Sequence, residues 1–213
     1  MTMRECSTLE RGCAQLGVGL SARAAEQLLA HLALLEQWNR RVNLTAVRDF
    51  DGMVVRHLLD SLSIARFVRG PSLLDIGSGA GFPGLPLAMV NPNLQITVLD
   101  SRRRRVEFMS HLCATLELGN VEVVGARVED YRPAQKFDTL TTRAFASLER
   151  TLKLTAALHR PGGRLLAMKG RTPAREIAAL DAMWRARINN ISVEKLNVPF
   201  LCAERHLIIA EFS

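Results

Sequence analysis

Three glycines at alternate positions end an apolar segment, and they are the residues of this sequence best suited to hold a ligand. They are Gly77, Gly79 and Gly81, within the segment LLDIGSGAGFPG at residues 73–84. Glycine lets a backbone turn sharply and lie close to a ligand, and Pro83 stands where a helix would begin. Because a helix N-terminus offers free N–H groups and a positive dipole end, this turn is suited to an anionic group.

Two carboxylates near the turn bear on the kind of cofactor it holds. Gly79-x-Gly81-x-x-Gly84 fits the dinucleotide-binding pattern literally. Asp75 precedes Gly77 by two positions and is expected at the carboxyl end of the strand, where it would repel a pyrophosphate but suit the ammonium and sulfonium groups of S-adenosylmethionine. Asp100 follows Gly81 by 19 positions, close to the spacing of about 20 for a residue that accepts ribose hydroxyls in either class. The sequence favours S-adenosylmethionine and leaves a nicotinamide dinucleotide as the alternative.

Short apolar segments alternate with helical segments after residue 70, and this alternation must position the glycine turn. Strands are predicted at Ser72–Ile76, Gln95–Leu99, Val121–Val124, Phe137–Thr141, Arg164–Met168, Ile191–Leu196 and Arg205–Phe212. Helices are predicted between them at Pro83–Val90, Arg102–Leu118, Leu148–Leu158 and Pro173–Arg187. The pattern is typical of an α/β fold with a mostly parallel sheet. Only eight residues separate the last two strands, too few for a parallel crossover, so these strands should pair antiparallel.

Residues 1–70 carry a helical pattern. After Ser21, a suitable N-cap, apolar residues recur on one helix face at Leu28, Leu32, Leu35 and Trp38. We expect Trp38 to belong to the core. A second helix is predicted over Asp51–Val68, after a polar connector rich in Asn and Arg. The chain is expected to divide into an N-terminal helical extension at 1–70 and an α/β domain at 71–213.

The composition is that of an ordinary globular protein with an excess of positive charge. The 213 residues hold 28 Lys and Arg against 21 Asp and Glu, a net charge of +7, which suggests a polyanionic partner. The four cysteines form no C-x-x-C pair, so neither a metal site nor a disulfide framework is expected. With no apolar run of membrane-spanning length and no apolar signal core, the sequence predicts a cytoplasmic protein without a membrane partner.

Several further segments resemble the bacterial RsmG (GidB) family of 16S ribosomal RNA guanine-N7 methyltransferases. They are NLTAVRD at 43–49, RHLLDSL at 56–62, DIGSGAGFPG at 75–84, LDS at 99–101, RAFASL at 143–148 and ERHL at 204–207. The resemblance implies a class I S-adenosylmethionine-dependent methyltransferase domain at 71–213, Rossmann-like, with a mostly parallel seven-stranded sheet whose last strand is antiparallel. It also implies methyl transfer to N7 of one guanine near the decoding site.

The same resemblance implies which residues contact the cofactor. By motif position these are Gly77, Phe82, Val128, Glu129 and Arg143, with Asp100 at the ribose. Asp75, Gly79 and Gly81 of the turn complete the predicted cofactor site. Guanine N7 carries a lone pair and no proton, so its methylation needs no general base, only a nucleophile held in line about 3–3.5 Å from the methyl carbon. Arg143 is therefore the candidate catalytic residue in an orienting role, and Phe145 is a candidate wall of the pocket.

A basic surface around this pocket is predicted to bind RNA, because phosphate contacts dominate affinity for nucleic acids. Its candidate residues are Arg48, Arg56, Arg102, Arg103, Arg104, Lys169 and Arg171. The expected partner is 16S ribosomal RNA or the 30S subunit, with the protein acting as a monomer. A ribosome-assembly protein that keeps the fold without catalysis is a further alternative, opposed by the complete glycine turn and Asp100.

Overall fold

The computed structural model describes residues 3–213, and its strands form a single sheet in that range. The strands are β1 (Ser72–Ile76), β2 (Gln95–Asp100), β3 (Val121–Gly125), β4 (Phe137–Arg143), β5 (His159–Lys169), β6 (Ile188–Lys195) and β7 (His206–Phe212). Their order across the sheet is β3-β2-β1-β4-β5-β7-β6. The pairs among β1 to β5 are parallel, and β7 runs antiparallel between β5 and β6. The predicted mostly parallel, seven-stranded α/β sheet with an antiparallel last strand is confirmed.

Helices precede the sheet and connect its strands. Those before the sheet are α1 (Met3–Leu16), α2 (Ala22–Asn39), α3 (Phe50–Met53), a π-helical segment (Val54–Leu59), α4 (Asp60–Leu62) and a 3-10 turn (Ala65–Phe67). Those within the sheet domain are α5 (Gly84–Val90), α6 (Arg103–Thr115), α7 (Leu148–Thr155), α8 (Ala174–Ala178) and α9 (Ala182–Arg187). The side chain of Ser21 accepts a hydrogen bond from the Ala24 backbone, which makes it the predicted N-cap of α2.

Three predicted elements differ most from the structure, and the others by no more than three residues at an end. The helix predicted over Asp51–Val68 is interrupted by the π-helical segment and the 3-10 turn. The helix predicted over Pro173–Arg187 is two short helices, because Asp181 caps a new N-terminus by accepting from the Trp184 backbone N–H at 2.9 Å. Strand β5 begins five residues before its predicted start at Arg164, and an irregularity in the β4–β5 pairing between Phe137 and Thr139 accommodates the longer strand.

Apolar side chains of the sheet pack on both of its faces. Successive strand residues point to opposite faces, and Leu73 and Leu74 accordingly belong to different apolar clusters. Leu28 of α2 and Phe108 of α6 lie in the first cluster, whereas α7 and α9 contribute to the second. The N-terminal helices thus share a core with the sheet, and the division at residue 70 stays a prediction.

Candidate functional site

The glycine turn after β1 has a backbone that side chains would disturb. Gly77 and Gly81 have φ angles of +72° and +87°, in the left-handed region that favours glycine. A Cβ on Gly77 would lie 2.9 Å from the Phe145 ring, and one on Gly81 would overlap the Leu85 side chain. The turn can therefore fold back on the start of α5 and lie against Phe145 only with glycine at these positions.

Asp75 lies beneath this turn and not beside a ligand pocket. Its side chain is fully buried, and its Oδ2 accepts a hydrogen bond from the Gly84 backbone N–H at 2.9 Å. Burial raises the pKa of the Asp75 carboxyl to about 6. The sequence interpretation placed this carboxylate against a cationic ligand, but the structure uses it to hold the first backbone N–H of α5.

A pocket of about 600 Å³ opens at the carboxyl ends of the first four strands. In parallel α/β sheets ligands bind at this edge, where the strand order reverses, and here β1 has β2 on one side and β4 on the other. The pocket is lined by residues that follow these strands, namely Ile76, Gly77, Leu99–Arg102, Arg105, Ala126–Glu129, Ala144–Ser147, Arg150 and Leu154. Of the predicted cofactor residues, Gly77, Asp100, Val128 and Glu129 line it, as does Phe145.

Asp100 lies on the floor of the pocket, with both carboxylate oxygens engaged. Its Oδ1 accepts from the Arg102 backbone N–H at 2.9 Å, and its Oδ2 accepts from Gly79 N–H at 3.0 Å. The Arg105 guanidinium lies 3.1 Å from Oδ2. Asp100 thereby joins the glycine turn to the start of α6.

Phe82 of the turn lies behind the pocket between two buried histidines. Its ring stacks on His31 of α2 at a centroid distance of 4.5 Å and on His57 of the π-helical segment at 4.8 Å. His31 Nε2 donates to the carbonyl of Ala80 at 2.8 Å, and His57 Nε2 lies 2.8 Å from the Thr45 hydroxyl. The N-terminal helices therefore hold the far side of the glycine turn.

Arg143, at the end of β4, is positioned by a buried carboxylate. Its Nη1 donates to Asp60 Oδ2 and to the carbonyl of Arg56, both at 3.2 Å, and its guanidinium carbon lies 5.2 Å from the Phe82 ring centroid. Arg205 donates to the other oxygen of Asp60 at 2.8 Å. The Asp60 side chain is 4% exposed, and those of Arg143 and Arg205 are about a quarter exposed. One buried carboxylate thus orients two guanidinium groups, of which that of Arg143 lies beside the turn.

Comparison with known proteins bears directly on this arrangement. The family described as GidB, rRNA small subunit methyltransferase G, matches residues 24–208. The chain belongs to this family. It is 47% identical over 200 residues to the ribosomal RNA small subunit methyltransferase G of Alkalilimnicola ehrlichii, covering 94% of this chain and 89% of that protein. The protein of the same description from Ectopseudomonas mendocina is 46% identical over 215 residues, covering 100% and 99%.

Solved structures support the fold of this methyltransferase G family member. A SAM-dependent methyltransferase from Aquifex aeolicus matches with a TM-score of 0.53 and 18% identity, over 76% of this chain and 93% of that one. A predicted O-methyltransferase from Agrobacterium tumefaciens matches with a TM-score of 0.56 and 22% identity, over 73% and 79%. Membership of the methyltransferase G family and the Rossmann-like methyltransferase fold, both predicted from the sequence, are confirmed.

The arginines predicted to bind RNA in this family member mostly lie at the surface. Those exposed are Arg48, Arg56, Arg102, Arg103, Arg104 and Arg171, of which Arg102 also lines the pocket. Arg103 is 90% exposed and lies 2.7 Å from Glu107. Lys169 differs from the prediction: its side chain is 16% exposed, and its Nζ donates to the Ala146 carbonyl and to Glu176. Lys169 braces the chain after β4 and does not present a free charge.

Sequence reasoning assigned no role to Asp60, Arg205 or His31 in this methyltransferase G chain. Asp60 carried a usable signal, because a carboxylate between Leu59 and Leu62 in an apolar helical segment is expected to be buried and paired. Arg205 carried none beyond its place in the ERHL segment. Within residues 3–213, no helix is long and apolar enough to cross a membrane, and no three potential metal-binding side chains cluster together.

The two buried histidines predict that the protein loses stability in mild acid. Burial lowers the pKa of His31 to about 4 and, together with the charge of Arg143, that of His57 to about 3. Between about pH 6 and 4 the unfolded chain therefore binds about two more protons at these histidines than the folded protein, and stability falls as the pH falls through this range. Asp75, with its pKa raised to about 6, acts oppositely by about one proton between pH 6 and 4.

We expect His31→Gln to remove about one proton from this pH dependence, because glutamine does not titrate. The glutamine amide can still donate to the Ala80 carbonyl, so the fold should be kept. The free energy of unfolding, measured with urea at intervals from pH 7 to 4.5, should fall less steeply in this variant than in the wild type. Equal slopes in the two proteins would show that His31 is not held neutral in the fold.

Proposed function

We propose that this protein transfers a methyl group from S-adenosylmethionine to N7 of one guanine of 16S ribosomal RNA near the decoding site. The observation that carries the proposal is the pocket at the carboxyl ends of β1 to β4, with Asp100 on its floor, in a chain of the methyltransferase G family. S-adenosylmethionine supplies the electrophilic methyl group when bound. Gly77, Asp100, Val128 and Glu129 are the described residues best placed to hold this cofactor.

For this reaction the protein must orient the two substrates, and it need not accept a proton. The N7 lone pair is the nucleophile, the bond from the methyl carbon to sulfur breaks, and positive charge passes from sulfonium to guanine. Alignment of the reacting atoms is then the main contribution of the protein. Arg143 supports this role, since Asp60 and the Arg56 carbonyl fix its guanidinium over Phe82 at the edge of the turn.

A nicotinamide dinucleotide fits this site less well. The pyrophosphate of such a cofactor would be expected to accept hydrogen bonds from backbone N–H groups at the start of the helix after the glycine turn. Here the Gly84 backbone N–H donates to the Asp75 carboxylate, which is buried between the turn and the sheet. The first N–H group of α5 is thus already bound, and a second anion at this point would meet the Asp75 charge.

Two measurements test the proposal. Calorimetric titration with S-adenosylmethionine and, separately, with NAD should give heat of binding for S-adenosylmethionine alone. Incubation of 30S subunits and of naked 16S RNA with labelled cofactor, followed by mass-spectrometric mapping, should place the label at one guanine N7. Label on another atom, or no transfer to either RNA form, would contradict the proposal. Comparing transfer to 30S subunits with transfer to naked 16S RNA also shows which RNA form is the substrate. We expect the protein to be monomeric and cytoplasmic.

Replacing Arg103 and Arg104 together by Glu is expected to weaken RNA binding and to flatten its salt dependence. Both arginines are exposed in the first turn of α6, which begins directly after Asp100. Loss of two phosphate contacts should reduce the slope of log affinity against log salt by about 1.4 to 1.8. The measurement is fluorescence anisotropy with a 16S RNA fragment at several salt concentrations.

Arg23 and Arg66 provide a charge-matched control for that experiment. Both are exposed, and they lie near the amino ends of the strands, Arg23 beside Glu117 after α6 and Arg66 shortly before β1. Changing both to Glu should leave the salt slope nearly unchanged. The same slope in the two double variants would exclude Arg103 and Arg104 from the RNA interface.

A further inference from the structure

A second cavity of about 370 Å³ lies at the carboxyl end of α2, outside the cofactor pocket. It is lined by Gln37, Trp38, Arg40, Arg41 and Val42. Its volume falls within the range of about 300–1,000 Å³ of sites that bind small molecules. Its lining in the described structure holds two exposed guanidinium groups, one indole and no carboxylate, so its charge is complementary to an anionic ligand that has an aromatic part.

Trp38 forms a fixed aromatic wall of this cavity. Its indole packs edge-on against the Phe108 ring and beside His111, with centroid distances of 5.5 Å to each. It is only partly buried, whereas the second of the chain's two tryptophans, Trp184, is 2% exposed. The sequence interpretation placed Trp38 in the core. The structure packs it against the core and also leaves it accessible from the cavity.

The connector that carries the two arginines is held in shape by a buried amide. Asn39, 5% exposed, accepts hydrogen bonds from the backbone N–H groups of Leu44 at 2.7 Å and Thr45 at 3.0 Å. Its amide nitrogen donates to the carbonyl of Thr45 at 2.9 Å. These three bonds close residues 40–45 into a loop, so the cavity is preformed and a ligand need not order it.

The cavity lies beside α6, the helix whose start follows Asp100 of the cofactor pocket. Arg104, Phe108 and His111 share one face of α6, because residues three and four apart are neighbours on a helix. Trp38 packs on the last two of these, so Arg104 lies one turn closer to the start of α6, which follows Asp100 directly. The cavity therefore lies along the same helix as Arg104, and the start of that helix borders the cofactor pocket, which Arg102 and Arg105 line.

We propose that this cavity binds a single unstacked base of the RNA substrate, which stacks on Trp38 while Arg40 and Arg41 contact its flanking phosphates. RNA is recognised mainly where bases leave the helix and stack on aromatic rings or guanidinium planes. The proposal rests on the proposed function for its choice of RNA as the ligand. Since stacking depends little on base identity, the site anchors the RNA strand and leaves the choice of guanine to the cofactor pocket.

Tryptophan fluorescence tests this proposal, because a base that stacks on an indole quenches its emission. In the full-length Trp184→Phe variant, Trp38 is the remaining tryptophan. Titration with a single-stranded adenosine decamer should quench its emission several-fold more than titration with an abasic ribose-phosphate decamer of equal charge. Equal quenching by the two decamers, or none by either, would overturn the proposal.

Affinity measurements with matched variants give a second readout. Trp38→Leu should weaken decamer binding about tenfold, and Trp38→Phe, which preserves packing on Phe108, should retain most of the affinity. Arg41→Gln should weaken binding several-fold, whereas Arg23→Gln, the same change at the other end of α2, should not. Equal affinities for these two arginine variants would also overturn the proposal.

Methyl transfer distinguishes failure of the base site from failure of the proposed function. It is measured separately, on 30S subunits and on naked 16S RNA, with the wild type and with the Trp184→Phe variant. Selective quenching without methyl transfer would refute the proposed function and retain the base site. Methyl transfer without selective quenching would do the reverse.

Discussion

Replacing Arg143 by alanine is expected to slow methyl transfer by about 100-fold or more while the protein stays folded. The guanidinium is fixed between Asp60 and the Phe82 ring, and loss of a group that orients the reactants can cost about 100-fold in rate. Single-turnover transfer of labelled methyl to 30S subunits and to naked 16S RNA measures the effect, with circular dichroism to confirm folding. Full activity of a folded Arg143→Ala protein would exclude the orienting role.

The matched control for this variant is Arg160→Ala. Like Arg143, Arg160 pairs with an aspartate: its Nη1 lies 3.2 Å from Asp138 Oδ1, at the amino end of β4, opposite to the end that carries Arg143. We expect Arg160→Ala to leave the transfer rate within about twofold of the wild type, because the reaction takes place at the carboxyl end of β4. A comparable loss of activity in both variants would contradict an orienting role specific to Arg143.

The second large effect is expected for Asp60→Asn, which should lower the free energy of unfolding by about 2–3 kcal/mol. Removing one partner of a buried ion pair typically costs 3–5 kcal/mol. The value is smaller here because Arg143 and Arg205 are about a quarter exposed and can be partly hydrated. Urea unfolding at pH 7 measures the change, and the rate of methyl transfer should fall as Arg143 loses its fixed position.

Arg205→Gln in the Asp60→Asn background tests this account. Once the carboxylate is neutral, the removal of a neighbouring positive charge should recover part of the lost stability. In the wild-type background the same change should be destabilising, since Asp60 loses a partner. The same destabilisation by Arg205→Gln in both backgrounds would mean that Asp60 and Arg205 are not coupled.

The sheet was predictable from sequence because its signals are local. The local pattern of apolar segments such as 72–76 and 95–99 is enough to predict strands, and the glycine turn between them is recognised from its own residues. The position of Asp100 also followed from a spacing along the chain. In each case the information lies within about 30 residues, so periodicity and turn chemistry suffice.

The contacts that shape the site were not predictable, because they join distant residues. Asp60 meets Arg143 across 83 positions and Arg205 across 145, and no local pattern specifies such a pair. Lys169 looked like a free cation, since its partner Glu176 comes from the next helix. For Asp75, the sequence placed a carboxylate at the correct end of β1, but whether it faced the pocket or the core depended on the path of the glycine turn.

The pairing of β1 with β4 also has a consequence for how the chain folds. Ser72 donates to Asp138 across 66 positions, and the cofactor pocket at the other end of these strands takes lining residues from the ends of both β1 and β4. Chains rich in such distant contacts fold slowly, and the pocket needs both strands in place. A ligand that binds the completed sheet alone stabilises it by mass action, by about 2.7 kcal/mol at a hundredfold excess over its Kd. The cofactor would thus also protect the finished fold against unfolding.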